Sequence, residues 1–255
     1  MNILVANDDG IQAEGIRRLV GALKELGDVY VFAPDGQRSA NSHALSISRP
    51  VKVSRAEFEG AKEAYKVDGT PADSVKLGMD LLQRKGLKVD IIYSGINHGG
   101  NLGGDTVYSG TVSAAAEGAF LGIPAVAMSV NSHTPVYFEA CCKAAAAVFP
   151  MALKTAGQGR VISINTPDIP EEEVKGIRPA RLGVVTYDEW FDVLEETEDS
   201  VTYRYTGTPV FHEDEAGDAD TLLIRQGYGT ISMIKYDLND YEGLEKIKGW
   251  EIELK

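Results

Sequence analysis

Two hydrophobic patterns alternate along the first two thirds of the chain. Short, continuous apolar runs, typical of strands buried on both faces of a parallel sheet, occupy residues 3–6, 29–33, 89–94, 125–130 and 161–165. Apolar residues at helical spacing occupy residues 16–26, 70–82, 112–121 and 136–156. This alternation predicts an α/β fold with a doubly wound, mostly parallel sheet and right-handed crossovers.

Shorter patterns fill the rest of the chain. We predict a small excursion of short strands, at residues 45–47, 51–53 and 64–67. From residue 188 the sequence becomes acidic, and β-branched, alternating segments predict a long hairpin or arm; they occupy residues 201–205, 221–224 and 230–234. Residues 241–250 fit a short helix. The chain thus divides into a Rossmann-like catalytic core, residues 1–187, and a C-terminal β-hairpin arm and tail, residues 188–255.

The arm has too little sequence around it to build a core of its own. An isolated hairpin is marginally stable in water, so we expect the arm to pack on a second copy of the chain, which would make the protein a homo-oligomer.

Composition narrows the classes of function. The chain of 255 residues has a formal net charge of −13, which argues against binding to a nucleic-acid duplex. No basic leader followed by an apolar run, and no stretch of about 20 apolar residues, is present. We therefore expect a cytoplasmic protein that does not contact membranes. The two cysteines, Cys141 and Cys142, are adjacent in an Ala-rich helix and fit packing residues better than a disulfide framework.

Two neighbouring acids end the first predicted strand. Asp8 and Asp9 follow a buried apolar run directly, with Asn7 before them and Gly10 after. Ligands of open α/β sheets bind outside the carboxyl ends of the strands, and oxygen donors at this edge suit a hard cation. An isolated Asp-Asp-Gly also fits an ordinary loop in which aspartate caps the next helix. Few basic residues lie nearby, so a metal ion would be the source of positive charge for an anionic substrate.

A second polar loop, residues 33–42, leaves the next strand at the same edge of the sheet. Ser39 in this loop is either a ligand or a helix cap.

The loop at residues 95–111 contains five glycines within ten residues. Ser109, Gly110 and Thr111 lie at the predicted start of the following helix, where free N–H groups and the helix dipole favour a phosphate. The glycine spacing matches neither a Walker loop nor a dinucleotide-binding fingerprint. His98 in this loop could act as an acid or base, although the sequence places no carboxylate partner for it.

Five motifs in order resemble the SurE family of stationary-phase survival proteins, which are metal-dependent nucleoside monophosphate phosphatases. The motifs are ILVANDDGIQAEGI, APDGQRSANSHALSI, VDGTPADSVKLG, SGINHGGNLGGDTVYSGTVSAAAEG and DTLLIRQGYGTISM. The resemblance covers most of the chain. Ala40 departs from it, standing where glycine usually follows the serine. Met233-Ile234-Lys235 also departs, replacing the usual Thr-Pro-Leu.

The resemblance implies the ligands of the site. One divalent cation per subunit, Mg²⁺ or Mn²⁺, is held by Asp8, Asp9, Ser39 and Asn97, and the aspartates serve catalysis. The substrate phosphate is received by Asn101, Ser109, Gly110 and Thr111. The expected substrates are nucleoside 5′-monophosphates, with 3′-monophosphates and other phosphomonoesters as further ones. The family also implies dimers joined by an exchanged arm, often paired into tetramers.

Chemistry at such a site has more than one route. We favour attack by a metal-associated water; an aspartyl-phosphate formed by Asp8 or Asp9 is the rival. Adjacent residues on a continuing strand point in opposite directions, so the chain must turn at Asp8 for both acids to reach one ion. A noncatalytic nucleotide-binding regulatory module and an oligomeric scaffold are the alternatives to an enzyme.

Overall fold

A computed structural model describes residues 1–155, 159–188, 190–211 and 217–252, with only the backbone at 155 and 211. The strands are β1 Asn2–Ala6, β2 Asp28–Pro34, β3 Val53–Ala56, β4 Glu63–Val67, β5 Ile91–His98, β6 Ala125–Asn131, β7 Arg160–Pro167, β8 Ile177–Pro179, β9 Val185–Asp188, β10 Phe191–Glu196, β11 Val201–Tyr205, β12 Thr208–Phe211 and β13 Gly229–Lys235. The α-helices are α1 Glu14–Leu23, α2 Pro71–Arg84, α3 Gly110–Phe120, α4 Glu139–Thr155, α5 Asp220–Arg225 and α6 Tyr241–Ile247. Two 3-10 helices span Gly103–Tyr108 and Glu171–Glu173.

A nine-stranded sheet forms the centre of the molecule, in the order β3-β4-β2-β1-β5-β6-β7-β13-β8. The six strands from β4 to β7 in this order are mutually parallel. β3 and β13 pair antiparallel with their inner neighbours. The predicted doubly wound, mostly parallel α/β sheet is confirmed. Strand order reverses between β1 and β5, and such a switch point is where open α/β sheets bind ligands.

Helices cover both faces of the sheet because alternate strand residues point to opposite sides. Ile3 and Val5 of β1 lie in one apolar core with α1 and α4. Leu4 and Ala6 lie in the other core, with α2 and α3. Cys141 is fully buried in the first core and both thiols are free, as expected for packing residues. Within the described residues, no helix is long and apolar enough to cross a membrane.

Local sequence explains where the two helices nearest the candidate site begin. Thr70 and Asp73 form a reciprocal capping box at the start of α2, followed by Pro71 at its first position. The hydroxyl of Ser109 accepts the amide of Val112, 3.0 Å away, and caps α3. The cap lets α3 begin two residues before the predicted helix at residues 112–121.

Two predicted strands near the N-terminal half differ in the structure. Residues 45–47 form no strand, because their backbone bonds locally and the amide of Ser46 bonds to Asp73 instead of to a neighbouring strand. The strand predicted at residues 51–53 begins only at Val53. The strand predicted at 64–67 is confirmed within β4.

Only part of the C-terminal region that was predicted as an arm forms a hairpin in the structure. Residues 221–224 were predicted as β structure, but they belong to the helix α5, in which Leu223 and Ile224 are both buried. Residues 230–234 do form a strand, β13, which pairs with β7 inside the main sheet. This strand includes Met233-Ile234-Lys235, so the departure from the family pattern lies in the main sheet and not in an arm.

The hairpin itself is confined to β10 and β11, which pair with each other. Its base is framed by a second antiparallel pair, β9 with β12. Residues 189 and 212–216 of the predicted arm lie outside the described residues, as does residue 156 at the end of the predicted fourth helix. The tail forms α6, which agrees with the predicted short helix.

Candidate active site

The candidate site lies at the carboxyl ends of β1, β2 and β5, on both sides of the switch point. β1 ends at Ala6, so Asp8 and Asp9 stand on a turn and not on a continuing strand. This is the change of direction required for both acids to face one ligand. Gly10 in the same turn has φ +95°, and a Cβ there would lie 3.0 Å from the carbonyl carbon of Gly36. The acidic turn therefore packs directly against the loop that follows β2.

Asp8 is nearly inaccessible, with 3% of its surface exposed. Its Oδ1 accepts the hydroxyl of Thr111 at the start of α3. Burial raises the pKa of Asp8 to about 6, while the hydrogen bond with Thr111 opposes the rise and the charge of Asp9 adds to it. A Cβ added at Gly110 would lie 2.9 Å from both Cβ and Oδ2 of Asp8. The carboxylate is thus seated against the N-terminus of α3, where the helix dipole favours negative charge.

Asp9 is more exposed than Asp8 and is held from the other side. Its Oδ2 accepts the backbone amide of His98 at 3.0 Å. Burial raises the pKa of Asp9, and the bond from His98 lowers it in part. Within the part of the chain that the structure describes, no lysine or arginine forms an ion pair with either acid. Two adjacent, partly desolvated carboxylates therefore lie together without a lysine or arginine partner among the described residues.

The loop that carries Ser39 reaches the acidic turn through its backbone. The amide of Arg38 donates to the carbonyl oxygen of Asp8 at 2.7 Å. Ser39 is exposed, and its hydroxyl accepts the side-chain amide of Gln37 at 2.9 Å. Ala40 has φ +55°, the left-handed region that favours glycine, so the family glycine at this position has a conformational reason.

Residues beyond Ser39 anchor the same loop to the 3-10 helix Gly103–Tyr108 and to α3. Ser42 bonds through its amide and its hydroxyl to the carbonyl oxygens of Tyr108 and Val107, at 3.1 and 2.8 Å. The ring of His43 lies 2.9 Å from a carboxylate oxygen of Glu117, which also pairs with Lys76 at 2.6 Å. The bond from His43 is the main reason that the pKa of Glu117 is lowered although burial opposes it. In the sequence Glu117 is only an acid within an Ala-rich helical segment, which does not distinguish it from a surface acid.

Asn97 lies at the end of β5, where the register with β6 shifts between Ser94 and Asn97. Its Nδ2 donates to the carbonyl oxygen of Gly99 at 2.7 Å, which leaves Oδ1 as the atom available to a cation. The backbone of the next residue, His98, is the group that holds Asp9. Sequence reasoning considered His98 only as an acid or base and missed this role, because a backbone bond has no residue signature.

Asn101 is buried deeper in the glycine-rich segment. Asn101 is only 6% exposed, and its Nδ2 donates to the hydroxyl oxygen of Ser129 at 2.8 Å. Its backbone exchanges two hydrogen bonds with the side chain of Asn165, at 2.8 and 3.1 Å. These bonds fix the segment that leads towards Ser109.

The predicted phosphate-binding residues at the start of α3 are adjacent to the acids. The hydroxyls of Ser109 and Thr111 are engaged inside the protein, by Val112 and Asp8. Gly110 presents only backbone beside Asp8, and any side chain there would collide with the carboxylate. What this helix start offers to an anion is therefore its backbone and the positive end of its dipole.

The donor set fits a hard divalent cation. Next to the two carboxylates, Asn7 has a buried Oδ1 without a hydrogen-bond partner in the described structure. Among the described residues, no three His, Cys, Asp or Glu side chains cluster to hold a metal. A cation bound here would therefore combine two carboxylates with neutral oxygen donors, as Mg²⁺ and Mn²⁺ accept.

Comparisons with known proteins agree with this architecture. The family model described as Survival protein SurE matches residues 3–189. The 5′-nucleotidase SurE of Syntrophomonas wolfei is 38% identical over 97% of this chain and 94% of that protein. The 5′/3′-nucleotidase SurE of Proteus mirabilis is 39% identical over 98% of this chain and 96% of that protein. The crystal structure of the SurE protein from Aquifex aeolicus is similar with a TM-score of 0.82 and 34% identity, covering 97% of this chain and 98% of that one.

Proposed function

Because the chain belongs to the SurE family, we propose that it is a metal-dependent phosphatase that hydrolyses nucleoside monophosphates to nucleoside and phosphate. One observation supports this most directly. Asp8 and Asp9 are neighbouring carboxylates without a lysine or arginine partner among the described residues, and Asp8 is seated at the backbone of Gly110. Such a pair needs a cation, and a cation beside a helix N-terminus suits a phosphate.

We assign one Mg²⁺ or Mn²⁺ per subunit to Asp8, Asp9, Ser39 and Asn97. The carboxylates supply charge, and the hydroxyl and amide oxygens complete a set of oxygen donors. When bound, the cation supplies positive charge to the phosphoryl oxygens and to the attacking water. Asp8 is fixed by Thr111 and Gly110, whereas Asp9 is the less buried acid and can accept a hydrogen bond from that water.

The start of α3 receives the phosphate in this proposal. The backbone around Gly110 offers positive helix-end potential, and Asn101 lies on the segment that leads to it. Hydrogen-bond donors that are already in position before the reaction stabilise the negative charge that develops on the phosphoryl oxygens. The hydrogen bond that one oxygen of Asp8 accepts from Thr111 also disfavours the aspartyl-phosphate route, because attack by this carboxylate would have to break the bond.

The relatives decide between an enzyme and a noncatalytic nucleotide-binding module. Both relatives described above carry the name nucleotidase, which supports an enzyme over a noncatalytic module. The relative from Proteus mirabilis is named for both 5′ and 3′ activity, so we propose that 3′-monophosphates are accepted as well.

We further propose a homodimer or homotetramer held by the hairpin of β10 and β11. Its apolar side chains are exposed, with Phe191 at 56% and Leu194 at 51%, and a two-stranded hairpin does not bury such groups alone.

A cytoplasmic location fits the two free, adjacent cysteines, because thiols persist in reducing compartments.

Turnover with a defined variant tests the assignment. The full-length protein should release phosphate from nucleoside monophosphates, lose this activity with a chelator and regain it with Mn²⁺ or Mg²⁺. Asp8→Asn should lower kcat by about a hundredfold or more, since it removes charge that holds the cation. Asp28→Asn, an exposed aspartate paired with Lys62, is the matched control and should keep parent activity. Nucleotide binding without turnover would favour the noncatalytic module.

A further inference from the structure

A buried carboxylate on the far side of the glycine-rich segment is used by none of the roles above. Asp220, the first residue of α5, is fully inaccessible to solvent. Its Oδ2 accepts the amide of Gly103 at 3.0 Å, and its Oδ1 accepts the amides of Gly183 and Thr221 at 2.7 and 2.8 Å. One side chain thus joins the segment before α3 to the chain that leads into the hairpin.

The two joined segments also pack against each other closely. Gly103 has φ +51°, and a Cβ there would lie 2.7 Å from the carbonyl oxygen of Gly183. A side chain at residue 103 would therefore be both strained and obstructed. The contact holds only if the amides of both glycines have an acceptor, because buried N–H groups without partners are costly. Asp220 provides that acceptor.

A second side chain ties the same two parts together. Tyr187 in β9 donates its hydroxyl to Asp105, within the 3-10 helix Gly103–Tyr108. This helix connects Asn101 to Ser109, the two ends of the proposed phosphate site. The proposed metal ligands lie on other parts of the chain, after β1, after β2 and at the end of β5.

We propose that Asp220 and Tyr187 are positioning residues that aim the phosphate-binding segment, residues 101–109, while leaving the cation site unaffected. The inference rests on the proposed function, since it deepens the role of the phosphate site. A carboxylate shared by amides of two segments fixes their spacing more tightly than neutral bonds do. Loss of this spacing moves Asn101 and Ser109 relative to Asp8. Small displacements of groups that position the substrate lower the rate of an enzyme strongly.

The test compares Asp220→Asn and Tyr187→Phe with two controls in the full-length protein. Tyr228→Phe removes a hydroxyl that accepts from Arg178 in the edge strand β8, and Asp240→Asn alters the cap of α6. Four quantities are measured: kcat, KM for a nucleoside monophosphate, the affinity for inorganic phosphate with Mn²⁺ present, and the affinity for Mn²⁺ alone, the last two by calorimetry.

We expect Asp220→Asn to raise KM and weaken phosphate binding by about tenfold, and Tyr187→Phe to do so by about threefold. Mn²⁺ affinity should stay within about twofold of the parent, and both controls should match the parent. A purely structural role would lower kcat at unchanged KM and overturn the inference. If Asp220→Asn does not fold, Tyr187→Phe decides alone, and unchanged phosphate affinity in it refutes the proposal.

Phosphate binding also separates this inference from the proposed function. A parent protein that binds phosphate but releases none from nucleotides refutes the phosphatase, while the comparison of variants still supports or refutes the positioning role. A parent that does neither refutes both.

Discussion

The hydroxyl of Thr111 donates to the carboxylate of Asp8, across 103 residues of chain. The bond joins the end of β1 to the first turn of α3, so the proposed cation ligand and the proposed phosphate site form one unit. It also lowers the pKa of Asp8 against the effect of burial and of Asp9. Thr111 therefore helps to keep a nearly inaccessible carboxyl ionised.

Thr111→Val should weaken the site without changing its shape. The variant keeps a β-branched side chain but removes the donor, which leaves Asp8 buried with one hydrogen bond fewer. We expect a loss of about 1–3 kcal/mol in the free energy of unfolding of the metal-free protein near neutral pH, weaker Mn²⁺ binding and lower kcat. Thermal unfolding, calorimetry and turnover measure these effects.

Thr230→Val is the matched control, because the hydroxyl of Thr230 is buried without a hydrogen-bond partner in the described structure. That variant should keep activity and lose no stability. Equal effects of the two substitutions would show that the bond to Asp8 has no special role.

Gly110→Ala should disturb both cation and phosphate binding. A Cβ at residue 110 would lie 2.9 Å from Oδ2 of Asp8. The carboxylate must then move, so Mn²⁺ affinity and kcat/KM should each fall by about tenfold or more. Gly104 belongs to the same glycine-rich segment and has open space around a Cβ. Gly104→Ala should leave Mn²⁺ affinity intact, and a similar loss in both variants would contradict the assignment.

Much of the fold follows from hydrophobic patterning. The buried runs of β1, β2, β5, β6 and β7 are continuous and separated by helical spacing, so period and length identify them. The β prediction for residues 221–224 was wrong because a run of four residues of Thr, Leu and Ile fits either a strand or a short helix. Only the packing of these residues in the fold decides between the two structures. The placement of β13 beside β7 depends on a contact between distant segments, which no local pattern carries.

The sequence indicates the candidate acids and the helix start beside them, but not the residues that hold these parts in place. The sequence pattern places Asp8 and Asp9 at the end of a strand and Gly110 at the start of a helix, and these residue types suit a cation and a phosphate at such positions. Asp220 is distant in sequence from the glycine-rich segment that it holds, and its partners are backbone amides. Backbone partners leave no trace in residue type, so such a residue reads as an ordinary helix-starting aspartate.

The stability of the metal-free protein should depend on pH through Asp8. Burial raises its pKa from the ordinary 3.8 to about 6, so the folded state binds this proton more tightly than the unfolded state. The contribution to stability is therefore complete below about pH 4 and is lost as the pH rises through 6, on the order of 2–3 kcal/mol in total. Asp8→Asn, neutral at every pH, should lose less stability over this window.

Chemical denaturation of the chelator-treated parent and variant at several pH values measures the difference. Asp28→Asn, at an exposed position, should follow the parent curve. If the free energies of unfolding of the parent and of Asp8→Asn differ by the same amount at every pH, the pKa of Asp8 is not raised in the folded protein.

The hairpin offers a clean deletion because its ends are already adjacent. The amide of Thr206 donates to the carbonyl oxygen of Trp190 at 2.9 Å, so residues 191–205 can be replaced by a short Gly-Gly turn. A longer deletion that reached residue 231 would remove Asp220 and part of β13, and with them a strand of the main sheet. The short deletion leaves the proposed cation ligands and both positioning residues in place.

Removal of residues 191–205 should convert the proposed homo-oligomer into a smaller species. The deleted segment exposes a cluster in which Phe191 lies 6.0 and 5.4 Å from the rings of Tyr203 and Tyr205, and such aromatic surface is typical of interface cores. Sedimentation velocity of the full-length protein and the deletion variant compares their masses, and Mn²⁺ calorimetry checks that the core remains folded. As a control, Phe191→Tyr keeps the ring and should sediment as the parent does. If the deletion variant retains the mass of the parent assembly, the hairpin does not hold the subunits together, and the exposed face of α6 and the tail becomes the surface to alter next.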